Sequence, residues 1–232
     1  MSEANGNSLH SLVGLSGFRC IVADPPWKYG AKRPFGASKE FRPNSWNKTD
    51  IGAMTKYPLM TTEDICALPV ADVADKDAHL YLWTTNAFMR EAHEVAEAWG
   101  FRQKTILTWC KVKPDGTPSM KMGYYFRGAT EHCLFAVRGK MRLNVRTLPT
   151  AFLWPRIGQH SRKPDAFFEM VETATPGPRL ELFARRARPG WTTIGNEADG
   201  MDIKDSLILI AQGKHPCYGV EKHGEGRHEQ DM

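Results

Sequence analysis

Residues 20–27 read Cys-Ile-Val-Ala-Asp-Pro-Pro-Trp, a short apolar run followed at once by an acid, two prolines and a tryptophan. An apolar run of this kind is typical of a buried β-strand. Proline has no backbone N–H to donate to a neighbouring strand, so Pro25 and Pro26 must end the strand. The sequence therefore predicts a strand over Arg19–Ala23 and places Asp24 in a stiff turn at its carboxyl end, the edge at which open α/β sheets bind ligands.

The rest of the chain alternates short apolar or β-branched runs with amphipathic stretches, a pattern typical of an α/β layered fold. Helix starts are indicated by Thr62-Glu63-Asp64 and by Pro164, and Gly100 marks a helix end. We predict further strands at His79–Thr84, Lys104–Cys110, Glu131–Val137, Arg179–Phe183 and Trp191–Ile194, and helices at Thr62–Leu68, Asn86–Trp99, Pro164–Thr173 and Asp202–Gln212.

Length and composition indicate one globular domain. The chain has 232 residues, of which 41% are hydrophobic and 25% charged, the balance of a soluble folded protein. We expect a disordered lead-in at 1–17, a folded domain at 18–212 and a mobile polar tail at 213–232. No apolar run is long enough to cross a bilayer and no secretory signal is present, so we expect a cytoplasmic protein without a membrane partner.

Cysteine and histidine spacing gives no sign of a metal centre. The five cysteines are scattered without a CxxC pair, and the eight histidines show no HExxH spacing. His132 and Cys133 are adjacent, but neighbouring residues of a strand point to opposite faces, so we interpret them as packing residues rather than a thiol–imidazole pair. We therefore expect no metal.

Two long segments with weak periodicity, 29–57 and 111–128, interleave basic and aromatic side chains. Long loops inside a compact domain are usually functional or disordered, and this mixture suits a surface that follows a phosphate backbone and stacks bases. The alternative is two solvated loops that happen to be basic. The net charge of +5 agrees with a nucleic-acid partner without requiring one. The residues are Lys32, Arg33, Lys39, Arg42, Lys48, Lys56, Phe35, Phe41 and Trp46 in the first, and Lys111, Lys113, Lys121, Arg127, Tyr124, Tyr125 and Phe126 in the second.

The chemistry of Asp24-Pro25-Pro26-Trp27 suits an exocyclic aromatic amine. The Asp24 carboxylate and the Pro25 carbonyl can accept its two hydrogens, and Trp27 offers a flat face on which a base can stack. The lone pair of such an amine is delocalised into the ring. Two acceptors draw the nitrogen toward tetrahedral geometry and stabilise the positive charge that develops as it attacks a methyl sulfonium. The alternative is a turn with a packing tryptophan.

The segment Ile21–Trp27 resembles the signature of the adenine-N6 methyltransferases named after the seventy-kilodalton subunit of the messenger-RNA adenosine methyltransferase. The likeness continues in the family's order over about residues 18–200. It implies a Rossmann-like S-adenosylmethionine-dependent methyltransferase fold with permuted (beta-class) motif order, in which Asp-Pro-Pro-Trp precedes most of the cofactor-binding elements. The other matching segments are Leu80–Asn86, Glu131–Leu134, Ser161–Asp165, Glu181–Arg185 and Gly190–Glu197.

The resemblance also assigns residues to the cofactor, S-adenosylmethionine, beside Asp24. It implies that Lys163 lies near the methionine carboxylate, that Glu181 and its neighbour Arg185 lie near the ribose, and that Asn196 and the next position contact the adenosine half. This chain has Glu197 where the family has glutamine, and Ala187 and Arg188 replace polar residues of many relatives. Tyr57 resembles a tyrosine of the active-site gate. Together with the basic loops, the predicted substrate-binding residues are Trp27, Tyr57, Lys32, Arg33, Lys121 and Arg127.

The implied reaction is methylation of the N6 amine of adenine in a nucleic acid. That amine is paired inside a duplex, so the base must be single-stranded or flipped out. We prefer DNA to RNA because the compact chain resembles bacterial and phage members. The alternatives are RNA, a catalytically silent nucleic-acid-binding subunit, and a methyltransferase of small amines or protein glutamine. The sequence leaves homo- or hetero-oligomerisation open.

Overall fold

The computed structural model describes residues 17–28, 58–120, 125–155 and 162–215. Within these ranges seven strands form a single sheet, namely β1 (Phe18–Ala23), β2 (Ala74–Thr84), β3 (Arg102–Val112), β4 (Thr130–Arg138), β5 (Ala151–Pro155), β6 (Arg179–Leu182) and β7 (Thr192–Ile194). The helices are α1 (Thr62–Cys66), α2 (Val70–Val73), α3 (Met89–Ala98), α4 (Asp165–Ala174) and α5 (Ile203–Ala211), and a 3₁₀ turn at Asn86–Phe88 leads into α3.

The sheet has the order β5-β3-β4-β2-β1-β6-β7, and β4 is antiparallel to its two neighbours while the other pairs are parallel. From β1 the chain proceeds to β2 on one side, and from β6 it proceeds to β7 on the other. The strand order therefore reverses between β1 and β6, and the crevice at their carboxyl ends is the place where such sheets bind ligands. The predicted Rossmann-like α/β fold is confirmed.

Strand β1 is buried on both faces. Ile21 and Ala23 pack into the core on the side of α1, α3 and α5, whereas Cys20 and Val22 pack into the core on the side of α4. All four side chains are at most 2% exposed. A strand covered by helices on both faces needs an unbroken apolar run rather than an alternating one, which explains the sequence Cys-Ile-Val-Ala.

The predicted strands are all present, with shifted ends. Strand β2 begins at Ala74 rather than His79, and β3 runs from Arg102 to Val112 rather than from Lys104 to Cys110. Strand β6 stops at Leu182 because the next residue, Phe183, has a φ of 60°, outside the β region.

Two short elements were not predicted, α2 and β5. The edge strand β5 has Pro149 two residues before it and Pro155 at its end, and its residues are alternately exposed and half-buried. Proline is tolerated on an edge strand, where one side of the backbone needs no partner. The prolines hide such a strand from sequence analysis because they also mark loops.

The packed chain continues beyond the predicted domain end at Gln212. His215 is only 3% exposed. The predicted lead-in, except Gly17, and the tail after His215 lie outside the described residues. No helix in the described ranges is both long and apolar enough to span a membrane.

Candidate active site

The turn after β1 is held by backbone hydrogen bonds to the segment before α1. The Met60 N–H donates to the Pro26 carbonyl at 2.9 Å, and the Lys28 N–H donates to the Met60 carbonyl at 3.0 Å. The Trp27 N–H donates to the Pro25 carbonyl at 2.9 Å. A carbonyl oxygen has two lone pairs, so the Pro25 carbonyl keeps the capacity to accept a second hydrogen. The turn thus presents Asp24, whose side chain is 32% exposed, on a fixed backbone.

Trp27 packs beneath this turn. Its side chain is 7% exposed, its Nε1–H donates to the Trp83 carbonyl at 3.1 Å, and its ring stacks on Phe88 at a centroid distance of 5.4 Å. Phe88 therefore covers one face of the indole. The packing contribution of Trp27 is evident from these contacts, whereas its predicted stacking on a target base stays a prediction.

Four charged side chains of alternating sign form a row of ion pairs that ends at Asp24. The other three are Lys111, Glu131 and Lys163. The Lys163 ammonium lies 2.6 Å from Asp24 Oδ2 and 3.4 Å from Glu131 Oε2. The other oxygen of Glu131 pairs with the Lys111 ammonium. The two ammonium groups lie over the rings of Trp83 and Trp109, at 5.0 and 4.9 Å from the ring centroids. Both lysine side chains are less than a tenth exposed, so these pairs form in a poorly solvated environment.

The paired charges keep one another ionised. Burial alone would raise the pKa of Glu131, but the ammonium groups of Lys163 and Lys111 lower it below its ordinary value. Burial alone would lower the pKa of Lys163, but the carboxylates of Asp24 and Glu131 raise it above its ordinary value. Glu131 and Lys163 are therefore both charged at neutral pH.

The roles of Glu131 and Lys111 are not evident from the sequence. The sequence places Glu131 at the start of a predicted strand and in a segment that resembles the family, and it predicts Lys111 to be a basic loop residue. That interpretation of Lys111 is wrong, because β3 continues through Val112 and the Lys111 side chain is only 8% exposed. The sequence feature that indicates a buried Lys111 is the run Thr-Trp-Cys-Lys-Val at 108–112, in which apolar residues lie on both sides of the lysine.

A second cluster surrounds Glu181 and Asp165. Glu181 pairs with Arg188 at 3.4 Å, three residues beyond the predicted neighbour Arg185, whose role stays a prediction. Asp165 contacts Arg162 and Arg186 at 2.5 Å each and Arg188 at 3.5 Å. Burial raises the pKa of Glu181, an effect that Arg188 partly offsets. These pairs tie the segment that carries Lys163 to the loop that follows β6.

Parallel strands bring the predicted cofactor residues to one edge of the sheet. Ala23 pairs with Leu182, and Leu182 pairs with Ile194, so the ends of β1, β6 and β7 form a row. Asn196 and Glu197 are exposed on the turn directly after β7. Asp24, Glu181 and this turn are thus gathered at a single crevice, although 172 positions separate Asp24 from Asn196 in the sequence.

Four predicted substrate residues, Lys32, Arg33, Tyr57 and Lys121, lie outside the described residues. Arg127 is described and exposed in the loop before β4, beside Tyr125 and Phe126, which are 91% and 92% exposed.

The predicted packing role of Cys133 agrees with the structure, whereas the neighbouring His132 ring contacts polar side chains. Cys133 is fully buried, and the His132 ring lies 2.6 Å from Asn86 Oδ1 and 3.2 Å from Thr108 Oγ1. In the described ranges, no three His, Cys, Asp or Glu side chains are placed to hold a metal ion.

The functional groups at this edge fit an amino acid joined to a nucleoside. Asp24 has a partly exposed carboxylate for cationic groups, and Glu181 has acceptors for ribose hydroxyls. The Lys163 ammonium already pairs with Asp24 and Glu131, so its predicted place beside the methionine carboxylate stays a prediction. Asn196 has both a donor and an acceptor for a base.

The sequence profile of the MT-A70 family matches residues 18–197. The chain belongs to the MT-A70 family. It is 33% identical over 203 residues to the type II methyltransferase M.MunI of a Mycoplasma species, across 83% of this chain and 81% of that protein. The resemblance to the adenine-N6 methyltransferase family is therefore confirmed, and with it the enzyme class.

The chain is also similar to eukaryotic N(6)-adenosine-methyltransferase subunits. It is 27% identical over 211 residues to the zebrafish (Danio rerio) N(6)-adenosine-methyltransferase subunit METTL3, across 89% of this chain and 32% of that protein. It is 26% identical over 200 residues to the human (Homo sapiens) catalytic subunit METTL3, across 84% of this chain and 30% of that protein. The chain thus spans about a third of the length of these two proteins.

Proposed function

We propose that this MT-A70 family chain methylates the exocyclic N6 amine of adenine in nucleic acid, with S-adenosylmethionine as the methyl donor and DNA as the preferred substrate. The observation that carries the proposal is the carboxylate of Asp24, partly exposed on a rigid turn at the crevice between β1 and β6. S-adenosylmethionine, when bound, supplies an electrophilic methyl group on a sulfonium.

The turn supplies two acceptors for the adenine amine. The carboxylate of Asp24 and the carbonyl of Pro25 accept its two N–H groups, and this orients the nitrogen lone pair out of conjugation with the ring. Both acceptors become more favourable partners as positive charge develops on the nitrogen, so they stabilise the transition state more than the ground state. Because the turn is held by backbone hydrogen bonds to Met60, little reorganisation is needed.

Lys163 and Glu131 control the availability of Asp24. Lys163 pairs with both carboxylates, so Glu131 can hold the ammonium when Asp24 turns toward the amine. Without Glu131, the attraction of Lys163 would fall on Asp24 alone and compete with the substrate. Lys111, paired with the far oxygen of Glu131, holds that carboxylate in place.

The loop between β3 and β4 supports a nucleic-acid substrate. Tyr125 and Phe126 are more than nine-tenths exposed, and the neighbouring Arg127 is exposed and basic. Aromatic rings beside a cation are the combination used to stack unpaired bases and to contact their phosphates. The loop joins β4 immediately before Glu131. A nucleic-acid strand that lies on this loop would therefore reach the same edge of the sheet as Asp24.

The preference for DNA is supported by the type II methyltransferase M.MunI of a Mycoplasma species, to which this chain is 33% identical across 81% of that protein. The identity to the zebrafish N(6)-adenosine-methyltransferase subunit is 27%, across 32% of that protein. The intact Asp-Pro-Pro-Trp turn favours an active enzyme over a catalytically silent subunit.

The test is to incubate the purified protein with methyl-labelled S-adenosylmethionine and, separately, single-stranded DNA, duplex DNA and RNA, and then to digest each to nucleosides. Label in N6-methyladenine is the expected result, with most label from DNA. More label from RNA would overturn the DNA preference alone. Cofactor binding without label in any nucleic acid would overturn the proposed reaction and point to a small amine or protein substrate.

A further inference from the structure

A buried hydrogen-bond network centred on Asp199 holds the turn after β7. Its Oδ1 accepts the backbone N–H of Gly195 at 3.1 Å and that of Met201 at 3.2 Å. Its Oδ2 accepts the Ser206 hydroxyl at 2.8 Å and lies 3.0 Å from His215 Nε2. The Asp199 side chain is 4% exposed. A buried carboxylate with four partners is a rigid connection, because releasing it from any partner leaves a polar group poorly solvated.

The network joins three segments that are distant in the chain. Gly195 directly follows β7, Ser206 lies in the first turn of α5, and His215 follows that helix. Ser206 is fully buried and the His215 side chain is likewise inaccessible. Residues 195–199 also form a turn with its own backbone hydrogen bonds. The N–H groups of Ala198 and Asp199 donate to the Gly195 carbonyl at 2.7 and 3.0 Å.

The most exposed part of this turn is not held by apolar packing. Asn196 and Glu197 are both exposed, so packing of their own side chains does not fix the backbone. On the β6 side, the turn is held in position by the close approach of Gly195 to Ala184. Gly195 has a φ of +151°, and a Cβ at this position would lie 2.7 Å from the Ala184 carbonyl oxygen. On the other side, the turn is held by Asp199. The position of Asn196 and Glu197 at the carboxyl end of β7 therefore depends on these two contacts.

We propose that Asp199, with Ser206 and His215, is a positioning group for the adenosine half of the cofactor. It does not contact the cofactor but holds the backbone that presents Asn196 and Glu197 at the carboxyl end of β7. The inference rests on the proposed function, because it assumes that S-adenosylmethionine binds at this edge. Loss of the network weakens cofactor binding and leaves the methyl-transfer rate at saturating cofactor unchanged, because Asp24 lies in the turn after β1 and is held by separate contacts.

The experiment measures the Kd of S-adenosylhomocysteine by calorimetry for the full chain and for Asp199→Asn, Ser206→Ala and His215→Gln. One lost hydrogen bond corresponds to about a five- to tenfold change in Kd if it is needed only to order the turn. We expect weakening of about this size in each variant. In methylation assays, KM for S-adenosylmethionine should rise by a similar factor while kcat stays within about twofold. Ser206→Ala removes a single hydroxyl and keeps the test valid if the Asp199 variant does not fold.

Thr175→Val is the matched control. Thr175 is the fully buried centre of another network, with His79 Nδ1 at 2.9 Å and the Tyr81 hydroxyl at 2.7 Å, and it lies near the start of β6 rather than at the crevice. This variant should lower the unfolding temperature without changing the Kd. A Kd within twofold of wild type in Ser206→Ala and Asp199→Asn would overturn the positioning role. A wild-type protein that binds no S-adenosylhomocysteine would instead refute the proposed function, and this inference with it.

Discussion

Replacing Glu131 by glutamine removes the carboxylate that lies between two buried ammonium groups. The side chains of Glu131, Lys111 and Lys163 are 20%, 8% and 9% exposed, so water compensates little for the loss. At the 3.4 Å that separates Glu131 Oε2 from the Lys163 ammonium, Coulomb's law with an effective permittivity of about 20 gives an attraction of about 5 kcal/mol. Measured losses for breaking one partner of a buried pair are about 3–5 kcal/mol.

The expected effect lies at the lower end of that range. Lys163 keeps Asp24 at 2.6 Å, glutamine keeps one acceptor oxygen, and Lys111 keeps the face of Trp109. We therefore expect Glu131→Gln to lower the free energy of unfolding by about 3 kcal/mol. The measurement is urea denaturation at neutral pH, followed by tryptophan fluorescence. The control is Glu94→Gln, which breaks an exposed pair with Arg90 at 3.1 Å and should cost less than about 0.5 kcal/mol.

The pH dependence of this difference tests its electrostatic origin. The pKa of Glu131 in the folded protein lies below its reference value of 4.5, so the stabilisation is fully present above that value and is lost as the pH falls through the folded pKa. The difference between wild type and Glu131→Gln should therefore be constant between about pH 7 and about pH 5 and should shrink at lower pH. A variant within about 1 kcal/mol of wild type at neutral pH would refute the argument, as would a difference that does not shrink on acidification.

Three further predictions concern the proposed reaction. Asp24→Asn should lower kcat by about 10²–10³, because an amide stabilises developing positive charge less well than a carboxylate, and full activity in labelled methyl transfer would contradict the assigned role. Because burial raises the pKa of Glu181, this residue should take up a proton at a higher pH than an exposed glutamate. Calorimetry should show S-adenosylhomocysteine binding weaken through that pH range in wild type but not in Glu181→Gln; equal pH profiles would exclude Glu181 as the acceptor. The double variant Tyr125→Ala/Phe126→Ala should bind single-stranded DNA about 5- to 100-fold more weakly in a fluorescence anisotropy titration. Its Kd for S-adenosylhomocysteine should stay unchanged. An undiminished affinity for DNA would show that the loop is not part of the substrate site.

The elements that sequence analysis predicted correctly have strong local signals. Strand β1 is an apolar run stopped by two prolines, and α3 has an apolar face ended by Gly100. The missed strand β5 has weak signals because it lies on an edge and is flanked by proline. Lys111 is predicted to be a loop residue because it begins a weakly periodic segment of basic and aromatic residues, whereas in the structure Glu131 on the neighbouring strand pairs with it.

The sequence by itself determined the α/β class, the turn that carries Asp24 and the membership of a methyltransferase family. These features depend on residue order, proline geometry and the spacing of motifs. All three can be recognised in the sequence without knowing which distant residues are in contact. Only the tertiary structure decided which charges meet. Asp24 and Lys163 are 139 positions apart, and Asp199 and His215 lie on either side of a helix. Ion pairing and buried hydrogen bonding depend on strand order, register and exclusion of water, and these exist only once the sheet and its helices have assembled.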